Sequence, residues 1–217
     1  SDAEGLSRFV LVDPRSVAGV AASPYFNFPT LLDVARDVGA VESVAGYWTI
    51  STTMGDPADA GEVQASLATA EFFRALGARP AFGRFFGPAD GYPGGATSGG
   101  PPLAVLAHGF WVRHFGSDST VLGRSVRFGK LSYTIVGVAM PGFRGLEPRA
   151  PDVWLPLHVS AEMENDRVSL SDRGSNWLSL VARRKAAAPR DLLEQQATFA
   201  WRRNNLAPAD PDSLRRI

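Results

Sequence analysis

Three histidines, His108, His114 and His158, are the side chains here with the widest chemical range. Two histidines that hold a metal from one helix need a spacing of three or four, so that both rings leave the same face. His108 and His114 are six apart, His158 is distant, and no acidic cluster stands beside them. No metal site is expected, and His114, between Arg113 and Phe115, reads as a half-buried structural residue. The run Gly123-Arg-Ser-Val-Arg-Phe-Gly129-Lys130 superficially matches a phosphate-binding loop. One residue too many separates its glycines, and Leu131 stands where a magnesium-binding hydroxyl is required. It lies between β-type runs rather than before a helix, so a turn between strands is expected.

Ser98 sits in Gly-Ala-Thr-Ser-Gly-Gly, which lacks the pattern of a nucleophile elbow. Asp90, Asp118, Asp152 and Asp172 would form an acidic cleft if they converged. Aspartate favours turns because its carboxylate hydrogen-bonds nearby backbone amides, and that is the expected role. Trp48, Trp111, Trp154, Trp177 and Trp201 each lie inside an apolar run. Core packing is expected rather than a sugar-stacking platform. Arg84 and Arg124 follow glycines in two parallel Gly-Arg pairs, where they are expected to fix loops, pair with carboxylates or meet a partner. Neither catalytic residues nor a cofactor is expected.

Composition narrows the classes further. The chain has 217 residues, 45% hydrophobic and 20% charged, enough to bury a core. Its formal net charge is zero, which argues against a broad basic face for nucleic acid. Eight basic and four acidic residues follow from Arg183 onward, which fits a solvated helix face. The absence of cysteine excludes disulfides, thiol catalysis and thiolate-bound zinc. No signal peptide is visible in Ser1-Asp-Ala-Glu-Gly, and no run of about 20 apolar residues would span a bilayer.

The elements that would position these residues follow from periodicity. Arg8 to Asp13 reads as a strand. A helix carrying Leu31, Leu32, Val34, Ala35 and Val38 follows, with Ser23-Pro24 as its cap and Gly39 as its stop. Ser43 to Thr53 and Glu62 to Leu67 read as a hairpin, and a short helix through Phe72, Phe73 and Leu76 ends at Gly77. Residues 78–102 are the least regular, with a Gly/Pro/Ser loop over 87–102 expected to be mobile at its tip. Leu103 to Leu106, Ser125 to Phe128, Tyr133 to Ala139 and Val153 to Leu157 read as strands. Phe110, Trp111, His114 and Phe115 recur at helical spacing. Ala161 to Asp166 reads as a helical turn. Trp177 to Arg183 is expected as a strand returning to the first sheet. Pro189 to Asn204 is the clearest helix, with Leu192, Leu193, Gln196, Phe199 and Ala200 on or near one face.

Several motifs stand in a recognisable order: Phe110-Trp111-x-Arg113-x-Phe115-Gly116, VLGRSV from Val121, YTIVGV from Tyr133 and DVWLPL from Asp152. Val63 to Phe73, LGARPAFGRFF from Leu76, and Asn176 to Arg183 extend the set. Together they resemble the extracytoplasmic core domain of MacB/FtsX-type ABC transporter permeases, in particular the acidobacterial duplicated-permease type. That resemblance implies an α+β fold with two subdomains. A discontinuous porter-like β-α-β unit would come from residues 1–76 and 173–217, and a β-rich sabre-like unit from residues 77–172. It implies a non-enzymatic domain on the periplasmic face of the inner membrane, coupling cytosolic ATP-driven motion to a periplasmic partner or substrate. The implied partners are an ATPase domain or subunit, reached through transmembrane helices, and a periplasmic adaptor, with a dimer possible in the full transporter. Hinges are expected near Leu76 to Pro80 and near Asp172 to Asn176. Candidate contact residues are Arg84, Phe85, Phe86, Phe110, Trp111 and Arg124. An apolar groove lined by the four aromatics would instead favour a lipid-, peptide- or lipoprotein-binding module. A secreted hydrolase would need titratable groups converging on a cleft, and no motif supplies them.

Overall fold

A single hydrogen-bonded sheet runs through the described parts of the chain. The computed structural model describes residues 6–8, 25–56, 58–90, 102–159 and 170–205. The strands are β1 (Leu6–Arg8), β2 (Tyr25–Phe26), β3 (Val41–Met54), β4 (Gly61–Ala68), β5 (Pro80–Gly83), β6 (Leu103–Leu106), β7 (Ser125–Phe128), β8 (Leu131–Ala139), β9 (Val153–Pro156) and β10 (Leu178–Arg184). The helices are α1 (Phe28–Asp37), α2 (Phe72–Ala75), α3 (His108–Phe115) and α4 (Arg190–Asn205). The main sheet order is β1-β10-β3-β4-β9-β6-β8-β5, with β2 paired to β10 and β7 paired to both β3 and β8. This is the α+β architecture expected from the sequence.

The return strand reads as anticipated. β10 lies between β1 and β3, antiparallel to both. β6 and β9 sit in the middle and bury every residue, as strands covered on both faces must. The β3–β4 hairpin pairs from Tyr47 opposite Ala68 to Met54 opposite Gly61. Its partner β9 runs parallel to β4, from Ala65 opposite Val153 to Ala68 opposite Pro156.

α1 begins four residues later than the Ser23-Pro24 signal suggested. Asn27 is the cap, in extended conformation, and Pro29 occupies the first turn. The buried Asn27 uses its whole amide. Its oxygen accepts from the Thr30 amide (2.9 Å) and hydroxyl (2.9 Å), and its nitrogen donates to the Arg173 carbonyl (2.7 Å) and to Asn176 Oδ1 (3.1 Å). Asn27→Ala therefore removes a cap and strands buried groups. It is expected to cost roughly 2 kcal/mol in urea unfolding, and Asn27→Asp less, because the acceptor survives.

Charges fasten the helices. Buried Asp33 of α1 receives Arg36 Nη2 (2.8 Å) and Arg173 Nη1 (2.8 Å). Arg36 also grips Asp37 (2.9 Å), which Arg203 of α4 reaches as well. The inward face of α4 is Leu193, Ala197 and Ala200, spaced four and three, with Gln196 Oε1 accepting from the Ala40 amide (2.9 Å). Leu192 and Phe199, expected on that face, are exposed, Phe199 at 67%. They lie seven apart on a neighbouring face, and the small alanines allow the close approach to α1.

One further difference concerns the irregular region. Residues 80–83 form an outermost strand, β5, that its proline and glycine concealed from the sequence reading. It pairs with β8 through a register shift between Pro80 and Phe82. Side chains make hydrogen bonds beside the two crossings expected as hinges. Arg183 Nε donates to the Ala75 carbonyl at the end of α2 (2.9 Å), and Arg173 holds Asp33 and receives Asn27. The expected tip of the Gly/Pro/Ser loop, Ser98, the turn at Ala161 to Asp166 and most of the first strand lie outside the described residues.

Candidate functional site

The two Gly-Arg pairs build two carboxylate clamps. Arg84 leaves β5 and meets Asp90 with both terminal nitrogens, at 2.8 and 2.6 Å. Asp90 also accepts from the Gly87 amide (2.9 Å), closing the short turn after Phe86. Arg124 donates to Asp118 and to the Thr120 hydroxyl (2.8 Å), while Asp118 accepts from the Thr120 amide (2.8 Å) and hydroxyl (2.7 Å). These are the loop-fixing roles that the sequence allowed.

The bidentate hydrogen bond from Arg84 holds the Asp90 carboxyl below the usual carboxylate range, against a smaller opposing effect of burial and with help from the Gly87 amide. Asp118 is lowered chiefly by the Thr120 hydroxyl and amide, with Arg124 adding to it. A depressed folded-state pKa means that the clamp contributes its stability above the unfolded carboxylate pKa. That contribution is lost as pH falls through the folded value. Arg84→Ala is expected to raise the Asp90 midpoint in an NMR titration toward that of an unpaired aspartate. An unchanged midpoint would show that the arginine does not set it.

The four candidate aromatics do not form an open groove. Phe86 and Phe110 are fully buried, while Phe85 and Trp111 are half-buried. Phe85 stacks on Phe73 with centroids 3.9 Å apart, and Phe86 meets Phe73 edge-on at 5.3 Å. Phe110 lies under His114 (4.3 Å), and Trp111 against Phe82 (4.9 Å) and His108 (5.3 Å). Their surroundings are those of packing residues. His114, expected to be half-buried, is exposed, because the ring rides over Phe110 on the outer side of α3.

What does come together is a surface made from β5, α3 and the loop after it. Trp111 Nε1 donates to the Asp118 carbonyl (2.9 Å), Phe82 packs on Trp111, and Leu122 lies over Gly83. Arg84, Trp111 and Arg124 therefore belong to one neighbourhood. Two of its apolar side chains, Val112 (42% exposed) and Leu122 (37%), went unnoticed in the sequence. Leu122 stands alone beside a turn, which gives no periodic signal. Such a surface can bind by shape and charge.

The other candidates are tied to local tasks. Asp152 accepts from the Gln64 amide (3.1 Å) and Arg113 (3.1 Å), and Asp172 accepts from the Gly174 amide (2.8 Å). The four aspartates serve four separate turns or joins. Gly129 and Lys130 make the turn between β7 and β8, as anticipated. Trp154 is buried within the core, and Trp48 packs edge-on against Trp177 (5.4 Å). Among the described residues no group of three His, Asp or Glu side chains is arranged to hold a metal. No described helix is long and apolar enough to cross a membrane.

Comparison with known proteins matches residues 2–198 to the MacB-like periplasmic core domain. No curated protein matches the sequence. Among solved structures, the extracellular domain of the noncanonic ABC-type transporter YknZ from Gram-positive bacteria is similar, with TM-score 0.63 and 14% identity. That match covers 93% of this chain and 95% of the other. The periplasmic region of MacB from Actinobacillus actinomycetemcomitans gives TM-score 0.64 at 13% identity, covering 88% of this chain and 81% of the other. At such identities the likeness is one of fold.

Proposed function

This chain belongs to the MacB-like periplasmic core domain family and is an extracytoplasmic domain of an ABC transporter permease; from that premise we propose that it carries ATP-driven motion of membrane helices to a periplasmic partner or substrate. The observation that supports the reading is the match over residues 2–198, together with a fold shared with two transporter domains. In this proposal a cytosolic ATPase supplies the energy and the domain itself performs no bond chemistry. A periplasmic adaptor and a dimeric transporter are part of the same proposal, as is the division into porter-like segments 1–76 and 173–217 and a sabre-like segment 77–172. Movement entering at β1, β10 and α4 would pass along the shared sheet, through β3, β4 and β9, to the surface around β5 and α3. Arg84, Trp111 and Arg124 would meet the partner there.

The test begins with the gene. Segments of about 20 apolar residues encoded directly before Ser1 and after Ile217 are expected. The full-length product should sediment with membranes and expose this domain to protease only from the periplasmic side. Soluble flanks with a cleavable leader would overturn the reading. Within the full-length transporter, Arg84→Glu with Arg124→Glu is expected to reduce transport at least tenfold while ATP hydrolysis persists. Unchanged transport would move the contact elsewhere.

A further inference from the structure

Six strands pair in a closed circuit: β3 to β4, β4 to β9, β9 to β6, β6 to β8, β8 to β7, and β7 back to β3. The joins differ greatly. β3 and β4 run together from Tyr47 to Met54, and the join between β4 and β9 is reinforced at Asp152. There the Asp152 amide donates to the Gln64 carbonyl (2.8 Å), the Gln64 amide donates to the Asp152 carboxylate (3.1 Å), and Arg113 holds the other oxygen. The join between β6 and β9 is continued by the Ala107 amide on the Asp152 carbonyl (2.9 Å).

The join between β3 and β7 is a single residue pair, Met54 opposite Phe128. Two backbone bonds flank it, from the Gly55 amide to the Arg127 carbonyl (3.1 Å) and from the Gly129 amide to the Thr53 carbonyl (2.8 Å). Both donors are glycines with positive φ, 103° and 58°, at which the chain leaves strand geometry. The pairing cannot propagate past them. At this seam Phe128, opposite Met54, is fully buried, and its edge-on ring partner Tyr133 (5.9 Å) belongs to β8 of the same hairpin.

We propose that this seam is a conformational device: the tip of the β3–β4 hairpin and the β7–β8 hairpin part as two intact units while the other five joins hold. Opening breaks one residue pair and two backbone bonds and uncovers Phe128. Any alternative opening breaks a longer ladder or the Asp152 contacts. The inference rests on the pairing alone and stands whether or not the domain transmits motion in a transporter.

Two measurements on the cysteine-free chain test it. In native-state hydrogen exchange, Gly55 and Gly129 are expected to share one protection factor and one denaturant dependence. That factor should lie at least tenfold below the values for Gln64, Asp152 and Ile135, whose amides bridge the joins that stay closed. In the Asp59→Cys, Ser132→Cys double variant, spin labels on the two exposed positions are expected to give two distance populations. Phe128→Leu should enlarge the longer one. Gly55 and Gly129 protected as strongly as Gln64 would overturn the proposal. So would unequal protection of the two glycines, which would be independent fraying, or a single narrow label distance.

Discussion

Gly137→Ala is expected to unseat β5 and cost roughly 3 kcal/mol, near the upper end of the usual overpacking range. Gly137 lies in β8, opposite Gly83 of β5 and Val105 of β6. A Cβ built on it would stand 2.0 Å from the Arg84 carbonyl oxygen and 2.9 Å from its carbon. Both are backbone atoms, so no rotamer change relieves the clash. Gly83 mirrors the arrangement, since its Cβ would meet the Val136 carbonyl oxygen at 2.4 Å. Ordinarily alanine in place of a strand glycine stabilises a protein by about 0.5–1 kcal/mol. Here steric exclusion outweighs that gain and reverses the sign. At about 2–4 °C per kcal/mol for a domain of this size, thermal unfolding should move down by roughly 6–12 °C. Gly116→Ala is the control. Its φ is +57°, but nothing lies within 4 Å of its Cβ, so only backbone strain of about 1 kcal/mol is expected. Equal losses at both positions would refute the close-approach argument.

Phe73→Ala is expected to destabilise the domain by about 3–5 kcal/mol, the usual cost of emptying a buried phenylalanine site. Phe73 belongs to α2, yet its ring stacks on Phe85 and meets Phe86, Phe143 (6.1 Å) and Trp154 (5.8 Å). It plugs the first part of the chain into residues of the middle part. If the two parts share one core, the variant should still unfold in a single transition, merely at lower denaturant concentration. A biphasic curve, with one half melting early, would show that they are separable. Phe73→Leu should recover more than half of the loss, because most of the volume is restored.

Local signals accounted for much of the fold. β6 has the limits of its apolar run and β7 those of its alternating one, and α4 begins one residue from its expected start. Contiguous apolar runs and caps act within a few residues, so one sequence displays them. β5 was concealed because Pro80 and Gly83 are poor strand residues; its place is set by the bare backbone that Gly137 offers from more than 50 positions away. The cap of α1 was misplaced because Ser23-Pro24 and Asn27-Phe28-Pro29 are equivalent locally. Only Arg173 and Asn176, far along the chain, distinguish them. The candidate site divides in the same way. Arg84 and Arg124 showed their clamps through nearby aspartates, whereas Phe86 and Phe110 gave no sign that they were interior. A short aromatic run looks alike in a groove and in a core.

β5 has a further consequence for how copies of the domain behave side by side. An outermost strand with a free row of amides and carbonyls is a template on which a neighbouring chain can add a strand, the first step toward aggregation. Proteins anchored in a membrane are confined to a plane, and at high density their outer domains collide often. β5 begins with Pro80, which has no amide to donate, shifts register before Phe82, and ends at Gly83 with φ +70°. Each feature bends or interrupts the row that an incoming strand would need. The residues that let β5 sit closely against β8 therefore also make its outer edge a poor template for an added strand.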